Sequence, residues 1–557
     1  MTPPDRIIRW LGLLALAPVL GLPLSNPDLF WHLSAARRIR ELGALPVADW
    51  LSGTRAGTAW VDFEWACQIL FGALYRNGGV FSLWIFKATL MAASACILLK
   101  TIQLYTDSVP LRYSALTLWG AASLTRSDIR PELFSLIGFG LVFLALERRR
   151  LGLKVLGPGW FVLLFCVWGN LHPGFVYGLA LIGLYAAAET AERLRLILWK
   201  SPHALPSGPS LWLYLAGGTV GCLLQLYGIA NLKVIWRHWQ DMEHLEVHIS
   251  EWRSIRLDDP WHLPFWIVLF SGFGAALLLL RRRRWLPLGP LAALLFFGFS
   301  ASQHSRMAAY SVACAVPLIV YFLHKAGITK DTPVQRWLLT MLLVVFASFT
   351  LACSLRYRFT QVIFNDHFLP RRAAEFLDRQ GGELPRRRLY NPWGWGGYLG
   401  WRLYPQYLVF QDGRYIFHDL LKEVGGAIAL PLTWRQFLDR HRIDLALMEN
   451  TPLRVETTRA DPNGSTKIFL RPYYLAYMPR ADWALVYWDE KALLFARRKS
   501  VPAQWVDSHE YRLVRPHDQD AFEDARTRGE IPEKDLNGEL TRHDRELAES
   551  SRLIPSW

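Results

Sequence analysis

Eleven apolar runs dominate the first 355 residues, at roughly 7–24, 81–99, 112–126, 131–147, 155–170, 173–190, 209–228, 263–280, 285–300, 307–324 and 336–354. Each approaches the length, about 20 residues, that carries a helix across a ~30 Å hydrocarbon layer. Such a layer holds no water, so a spanning segment must satisfy its backbone N–H and C=O groups internally, which a helix does. Residues 1–355 are therefore expected to form a polytopic α-helical membrane region of about eleven transmembrane helices. Beyond 356 the apolar strings shorten, which predicts a soluble α/β domain over 356–514. Residues 515–557 read as a charged tail, helical or disordered.

Charge orients the runs. The chain carries a formal net charge of +15, and many cations lie in clusters between runs, at 148–150, 193–200, 281–284 and 325–336. Such clusters hold loops on the cytoplasmic side. With the N-terminus inside, as Arg6 and Arg9 indicate, eleven crossings place all four clusters inside and the 356–514 domain outside. The first run reads as an uncleaved anchor rather than a signal peptide, because so many spans follow it. Segment 63–75 holds Glu64 and Gln68 and is too short to cross, so an interfacial helix is expected there. Counting it as a span would put every later cluster on the wrong side. The expected location is a bacterial inner membrane, multi-pass, with the C-terminal domain periplasmic. Clustering of this kind argues against a nucleic-acid-binding stripe. Five of the six cysteines lie in the runs and the sixth, Cys67, in segment 63–75; none has metal-ligand spacing, so they read as small apolar fillers.

The same alternation gathers ionisable groups at the outer face. Asp28 and His32 lie in SNPDLFWHLSAARRIRELG, and Arg126, Asp128, Arg130 and Glu132 in LTRSDIRPELFS. Asn170 and His172 follow in WGNLHPGF, then the loop 238–262, then Gln303, His304 and Arg306 in SQHSRM. Charges near membrane depth are costly and usually serve a site. In the opening stretch Asn26 reads as an N-cap, Pro27 as the first turn and Asp28 as favoured by the helix dipole. Leu29, Leu33 and Ala36 form the apolar stripe of a membrane-surface helix, and Gly43 supplies its stop. Asp28 then has two readings: a stabiliser of a helix N-terminus, or a reactive carboxylate facing outer arginines and histidines.

This arrangement resembles the GT-C glycosyltransferases, polytopic enzymes that move sugar from a polyprenyl-phosphate carrier. Protein O-mannosyltransferases, lipid A aminoarabinose transferases and the catalytic subunit of oligosaccharyltransferases belong to that superfamily. Its members carry an acidic residue after the first span, in a long first outer loop with surface helices. Here that loop, within 25–80, contains PDLFWHLSAARRIRELGALPVADW and ends in WVDFEWACQILFGALYRNGGVFSLWIFKA, similar to the family's approach to the second span. The resemblance covers about residues 1–200 by motif and about 1–355 by architecture. It extends to an uncharacterised bacterial branch with a DLWWHL-like start, an RPELFS-like element, an HPGF element and a late GGYL…DGR segment. It implies a polyprenyl-phosphate-linked sugar donor, a protein, lipid or glycan acceptor and a bilayer setting; a divalent metal such as Mg or Mn, which N-glycosylating relatives require, is an option here and no cofactor is certain.

The chemistry of such a transfer assigns roles. An acceptor needs a base or orienting carboxylate, and a leaving phosphate needs cations. Asp28 is the catalytic candidate. His32, Arg126, Asp128, Arg130, His172, His304 and Arg306 are candidates for lipid-phosphate or substrate binding, the arginines because guanidinium forks match phosphate oxygens. Structural readings stand beside these: Asp128 and Glu132 pairing with Arg126 and Arg130, and His172 closing a span before Pro173. For a metal, the first loop lacks a DxD, and the pairs on offer are Asp28 with His32, or Asp62 with Glu64. His238, His244 and His248 share a loop with acids and read as a solvated amphipathic helix in preference to a zinc site.

In the C-terminal domain RRLYNPWGWGGYLGWRLYP predicts a Gly-rich turn between strands. YLVFQDGR, DLALMEN, WALVYW and KALLFARR read as strands, and TWRQFLDRH as a helix. NPWGWGGYL is either a tight structural turn or an acceptor cradle, in which Trp393, Trp395 and Tyr398, with Asp412 and Arg414, are the candidate contacts. Asn463-Gly464-Ser465 matches a glycosylation acceptor by chance. The expected function is an inverting membrane glycosyltransferase with Asp28 as base. Two alternatives are an O-antigen ligase- or polymerase-like enzyme using loop 229–262, and a non-catalytic transport or assembly protein for envelope polysaccharide. A transporter carries polar residues at mid-span, whereas here they gather at one face.

Overall fold

The computed structural model describes residues 3–199, 208–328, 332–357, 363–384, 387–460 and 466–552. Asn463-Gly464-Ser465, Lys200 and residues 329–331 of the basic clusters, and the side chain of His244 lie outside the described residues. The chain divides into two compact units. The first comprises Met1–Asn26 and Val61–Asn365, the second Pro27–Trp60 and Asp366–Trp557.

All eleven apolar runs of the first unit are helical, but their lengths are unequal. Among the described residues four helices are long and apolar enough to cross a membrane: Trp65–Ile102, Pro260–Arg281, Ser305–Lys325 and Pro333–Ala352. The pair Leu211–Leu224 and Ile229–Gln240, bent by 101°, makes a fifth if counted as one span. Pro158–Leu171 and Leu288–Gln303 are shorter apolar helices. In Trp65–Ile102 the backbone leaves helical geometry at Gly78 and at Gly79, whose φ of 58° suits a residue without Cβ. Residues 65–77 are thus a helical segment of their own before the run 80–102, as their polar residues and shortness suggested.

Ser305–Lys325 is the central helix, with 78% of its apolar window buried against 17% for Pro333–Ala352. Small residues explain this: Ala308, Ala309, Cys314 and Ala315 let it pack closely against Leu263–Arg281, Leu288–Gln303 and Val109–Ala122. The outer helices instead expose large apolar side chains, among them Trp337, Val345, Phe349, Phe270 and Leu224. An apolar surface that extensive is unfavourable in water and suits lipid. The basic clusters are partly internalised: Arg150 donates to buried Glu147 at 2.6–3.1 Å, and Arg149 pairs with Glu189.

The second unit has a four-stranded sheet in the order Leu389–Tyr390, Leu445–Glu449, Ala492–Arg497, Trp483–Trp488, parallel at the first pair and antiparallel elsewhere. DLALMEN, WALVYW and KALLFARR supply three of these strands, each a nearly unbroken apolar run because both faces are covered. Phe376 of helix Arg371–Gln380 packs on Tyr487, and Trp434 of helix Pro431–Arg440 on Tyr390. YLVFQDGR forms only isolated bridges, Arg388 with Leu408 and Ser52 with Val409. The tail is not detached: helix Glu533–Arg552 lays His543 flat on Trp488, 3.7 Å between ring centres, and Glu546 accepts from Tyr511 at 2.7 Å.

Two local readings change. The Gly-rich segment is a short turn, Trp393–Trp395, followed by helix Gly396–Leu403, not a turn between strands. The opening helix runs Leu29–Leu42 and stops at Gly43, in the left-handed region as expected, but its N-cap is Asp28. Its first two turns, Leu29 to Ala35, are buried on all sides, so it is not a surface helix over that length. Helix Gly396–Leu403 provides the cover, with Tyr398 edge-on to Phe30 at 5.0 Å.

Candidate functional site

In the first unit three guanidinium groups reach one carboxylate. Arg126 ends the short helical turn Leu124–Arg126, Arg130 follows it, and Arg306 comes from the turn Ser305–Met307. Glu251, on the turn Ser250–Trp252, is paired with Arg130, accepts from Arg126 at 2.8 Å and lies 3.7 Å from Arg306. Arg126 also pairs with Glu132, both nearly buried. Three cations against two anions leave the group with one formal positive charge. Burial opposes ionisation of Glu251, but Arg130, Arg126 and Arg306 outweigh it and hold its carboxyl well below the usual range. A group depressed in this way contributes stability above its ordinary value of 4.5 and loses it only as pH falls through the lowered value. Between pH 7 and 5 Glu251 therefore keeps its charge.

The loop that carries Glu251 is stitched in place. His304 Nδ1 lies 2.9 Å from the Trp252 carbonyl oxygen and 3.4 Å from Glu246. Ser305 Oγ donates to the Glu251 carbonyl at 3.0 Å, and the Ser305 N–H to that of Arg253 at 2.9 Å. His304 thus fastens the loop that presents Glu251.

His172 is buried and held on both sides. Its Nδ1 accepts the Gly174 N–H at 3.0 Å and lies 2.7 Å from Ser135 Oγ, which also receives the Trp168 indole N–H at 2.7 Å. With Nδ1 accepting, the ring proton sits on Nε2, which faces Glu64 at 3.8 Å. Nearby, Asp62 accepts from Gln68 at 2.6 Å and Asn170 from the Trp65 indole at 3.0 Å.

Asp128 does something the sequence did not suggest. It accepts from Ser25 N and Oγ at 2.8 and 2.7 Å, while Asn26 Nδ2 donates to the Ile129 carbonyl at 3.0 Å. Asn26 is accordingly an anchor and not the helix cap. Leu24 pairs with the segment at 363–365, and Lys87 donates to the carbonyls of Leu20 and Leu22 at 3.0 and 2.9 Å. Residues 20–26, directly before Asp28, are therefore held on several sides. Lys87 is fully buried inside an apolar run, where only its charge could have marked it. Lys87→Met is expected to cost about 1–3 kcal/mol, because two buried carbonyls lose their donor; thermal unfolding of the detergent-purified protein measures it.

In the second unit Asp28 heads helix Leu29–Leu42 yet makes no side-chain capping hydrogen bond. His32 is buried, with Trp31 lying over it at 3.6 Å between ring centres. Asp412 grips Arg414 with both oxygens, at 2.9 Å to Nε and 2.7 Å to Nη2, and Asp49 reaches the same Nη2 at 2.7 Å. Asp49 in turn accepts from the N–H groups of Leu51 and Ser52, both at 3.2 Å. The guanidinium lies 5.1, 5.4 and 5.7 Å from the rings of Trp60, Phe417 and Trp50. Asp412 and Asp49 keep Arg414 charged although burial disfavours it. Trp395 is buried and donates to the Phe368 carbonyl at 2.9 Å, Tyr398 is buried against Phe30, and Trp393 alone of the three keeps partial exposure.

The structure thus gathers Arg126, Arg130, Arg306 and His304 in one unit, and Asp28, His32, Tyr398, Asp412 and Arg414 in the other. Sequence reading did not find Glu251, Lys87, Ser135 or Asp49 as site residues; each gains its role from a partner more than 35 residues away. Among the described residues no group of three or more His, Cys, Asp or Glu could hold a metal ion.

No family model and no curated protein matches the sequence. Solved structures resemble its fold. The archaeal oligosaccharyltransferase AglB from Archaeoglobus fulgidus, in complex with an inhibitory peptide and a dolichol-phosphate, superposes with a TM-score of 0.52 at 10% identity, over 86% of this chain and 79% of its own. An Archaeoglobus fulgidus oligosaccharyltransferase tethered to an acceptor peptide containing the NVT sequon gives 0.50 at 10% identity, over 84% and 74%. ArnT from Cupriavidus metallidurans bound to undecaprenyl phosphate gives 0.44 at 14% identity, over 88% and 97%.

Proposed function

We propose, from a GT-C-like fold, that this chain is a membrane glycosyltransferase taking sugar from a polyprenyl-phosphate or pyrophosphate carrier to an acceptor on the outer side of the inner membrane. The observation that carries this reading is the meeting of Arg126, Arg130 and Arg306 on the single carboxylate of Glu251. Three forks converging on one anion suit a phosphate, which offers more oxygens and more charge than a carboxylate. Asp28 is the base: it takes the proton of the acceptor hydroxyl as that oxygen bonds to the anomeric carbon. The sugar–phosphate bond breaks with its electron pair remaining on the carrier phosphate. Attack from the face opposite the leaving group inverts the anomeric centre.

His172 and Asp128 keep supporting roles in this scheme, through Ser135 and Glu64 and through Ser25. The donor set for Mg or Mn is not gathered among the described residues, so no step is assigned to a divalent ion. Orientation follows the positive-inside argument, with the second unit on the outer side; of its acceptor candidates Trp393 keeps partial exposure, while Trp395, Tyr398, Asp412 and Arg414 are buried and act as its framework.

Purified protein incubated with a radiolabelled pool of polyprenyl-linked sugars tests the reading by transfer or hydrolysis. Absence of turnover with every carrier would favour an assembly platform. A second measurement isolates the arginine cluster. Arg126→Ala is expected to weaken undecaprenyl phosphate binding by about 10–100-fold, the loss of charge-assisted hydrogen bonds. Glu251→Gln is expected to tighten it by roughly tenfold, since about 1.4 kcal/mol of internal competition disappears. Equal binding by both variants and the unaltered protein would remove the phosphate from this site.

A further inference from the structure

Gly413 stands between two residues already committed to each other, Asp412 and Arg414, and its own role lies in what occupies the space beside it. A methyl group on Gly413 would overlap Asp28 Oδ1, and would lie 3.1 Å from Asp28 Cγ and 3.3 Å from the Trp31 indole nitrogen. Backbone conformation does not demand a glycine here, because Gly413 is not among the glycines with positive φ. Close approach does. Gly397, from the other glycine motif, faces the same turn: a methyl there would come within 3.1 Å of the Pro27 carbonyl oxygen and 3.4 Å of the Trp31 N–H nitrogen. The backbone around Asp28 is therefore seated between two positions that lack side chains. Gly413 itself is fixed, since its neighbour Arg414 is locked by Asp412 and Asp49 and lies beside three aromatic rings. Trp31, buried with its indole N–H unpaired among the described residues, closes the same spot beside the carboxylate.

We infer that Gly413 is a positioning residue for Asp28, and that the GGYL and DGR motifs of the C-terminal unit exist to seat the first-loop carboxylate. This rests on the reading of Asp28 as base. An aspartate side chain has several staggered rotamers. The backbone of Gly413 on one side and the Trp31 indole on the other leave room for few of them. Any side chain at 413 would push Oδ1 aside by about 1 Å to restore an ordinary contact.

Two measurements on the full chain test this. The first needs no activity. Asp28→Cys/Gly413→Cys is expected to form a disulfide under mild oxidation, detected as a linked peptide by mass spectrometry, because the two positions lie within bonding reach. Asp28→Cys/Gly394→Cys, which uses an exposed glycine with nothing within 4 Å of an added methyl group, is expected not to. Failure of the first pair, or equal reaction of both, would overturn the seating. The second uses turnover of the radiolabelled polyprenyl-linked sugar pool. Gly413→Ala is expected to lower kcat by about 100-fold, the effect of a misplacement near 1 Å, with KM within about twofold. In an Asp28→Asn background the same change should lower residual turnover no further. An equal loss in both backgrounds would make Gly413 merely structural and overturn the inference. Full activity of Asp28→Asn would instead overturn the base reading, while the disulfide experiment would still decide whether Gly413 and Asp28 touch.

Discussion

Asp28→Asn is expected to reduce sugar transfer by roughly 10²–10⁴-fold, the usual contribution of a general base, while thermal stability changes by less than about 1 kcal/mol. The small stability term follows from local structure. Asp28 occupies the N-cap of Leu29–Leu42, a position that asparagine fills about as well as aspartate. The helix start is secured by other means, through burial of Leu29, Phe30 and Leu33 and the contact of Phe30 with Tyr398. On the other side of the turn Ser25 and Asn26 are tied to Asp128 and Ile129. Transfer assays with paired thermal unfolding measure both quantities. Loss of fold together with loss of activity would return Asp28 to a structural role. Full activity would leave the ligase-like alternative standing, with its base elsewhere.

Arg414→Met is expected to destabilise the second unit by about 3–5 kcal/mol, because it strands two buried carboxylates. Asp412 and Asp49 are fully or almost fully enclosed, and Arg414 is their shared counter-ion. Arg414→Lys should recover only part of the loss, since an ammonium cannot reproduce the two-point grip on Asp412 or lie flat beside Trp60 and Phe417. Removing all three charges together, Asp49→Asn/Asp412→Asn/Arg414→Met, should be milder than the single change, which distinguishes stranded charge from lost packing. Thermal unfolding followed by a probe in the second unit provides the comparison. A triple variant less stable than Arg414→Met would show that packing dominates.

Much of this arrangement was legible in the residues. The apolar runs all became helices, because hydrophobic length and the need to satisfy backbone groups act locally. Three short apolar strings became the buried strands of the sheet for the same reason, and Gly43 ended its helix where a left-handed residue was needed. Pairing of Arg126 with Glu132 lay within reach, six residues apart. Pairing of Arg126 and Arg130 with Glu251 did not, because the partner comes from a loop more than a hundred residues away. Asp128 read as a substrate-binding candidate or a partner for neighbouring arginines, and it holds Ser25. The Gly-rich segment read as a turn, since glycine disfavours helix; it is helical because the bare backbone of Gly396 and Gly397 lets other chain segments press against it.

What the sequence determined by itself is the set of elements and the kind of chemistry available: apolar helices, an apolar sheet, and acids, arginines and histidines concentrated in a few connections. These depend on composition and period along the chain, which are local quantities. Only the tertiary structure decided which of those groups meet: that Glu251 collects three arginines, that Arg414 is bound between Asp49 and Asp412, and that Asp28 rests on Gly413. The physical reason is that ion pairs and close backbone approaches are set by distances of a few ångströms between residues remote in the chain, and no local pattern encodes them.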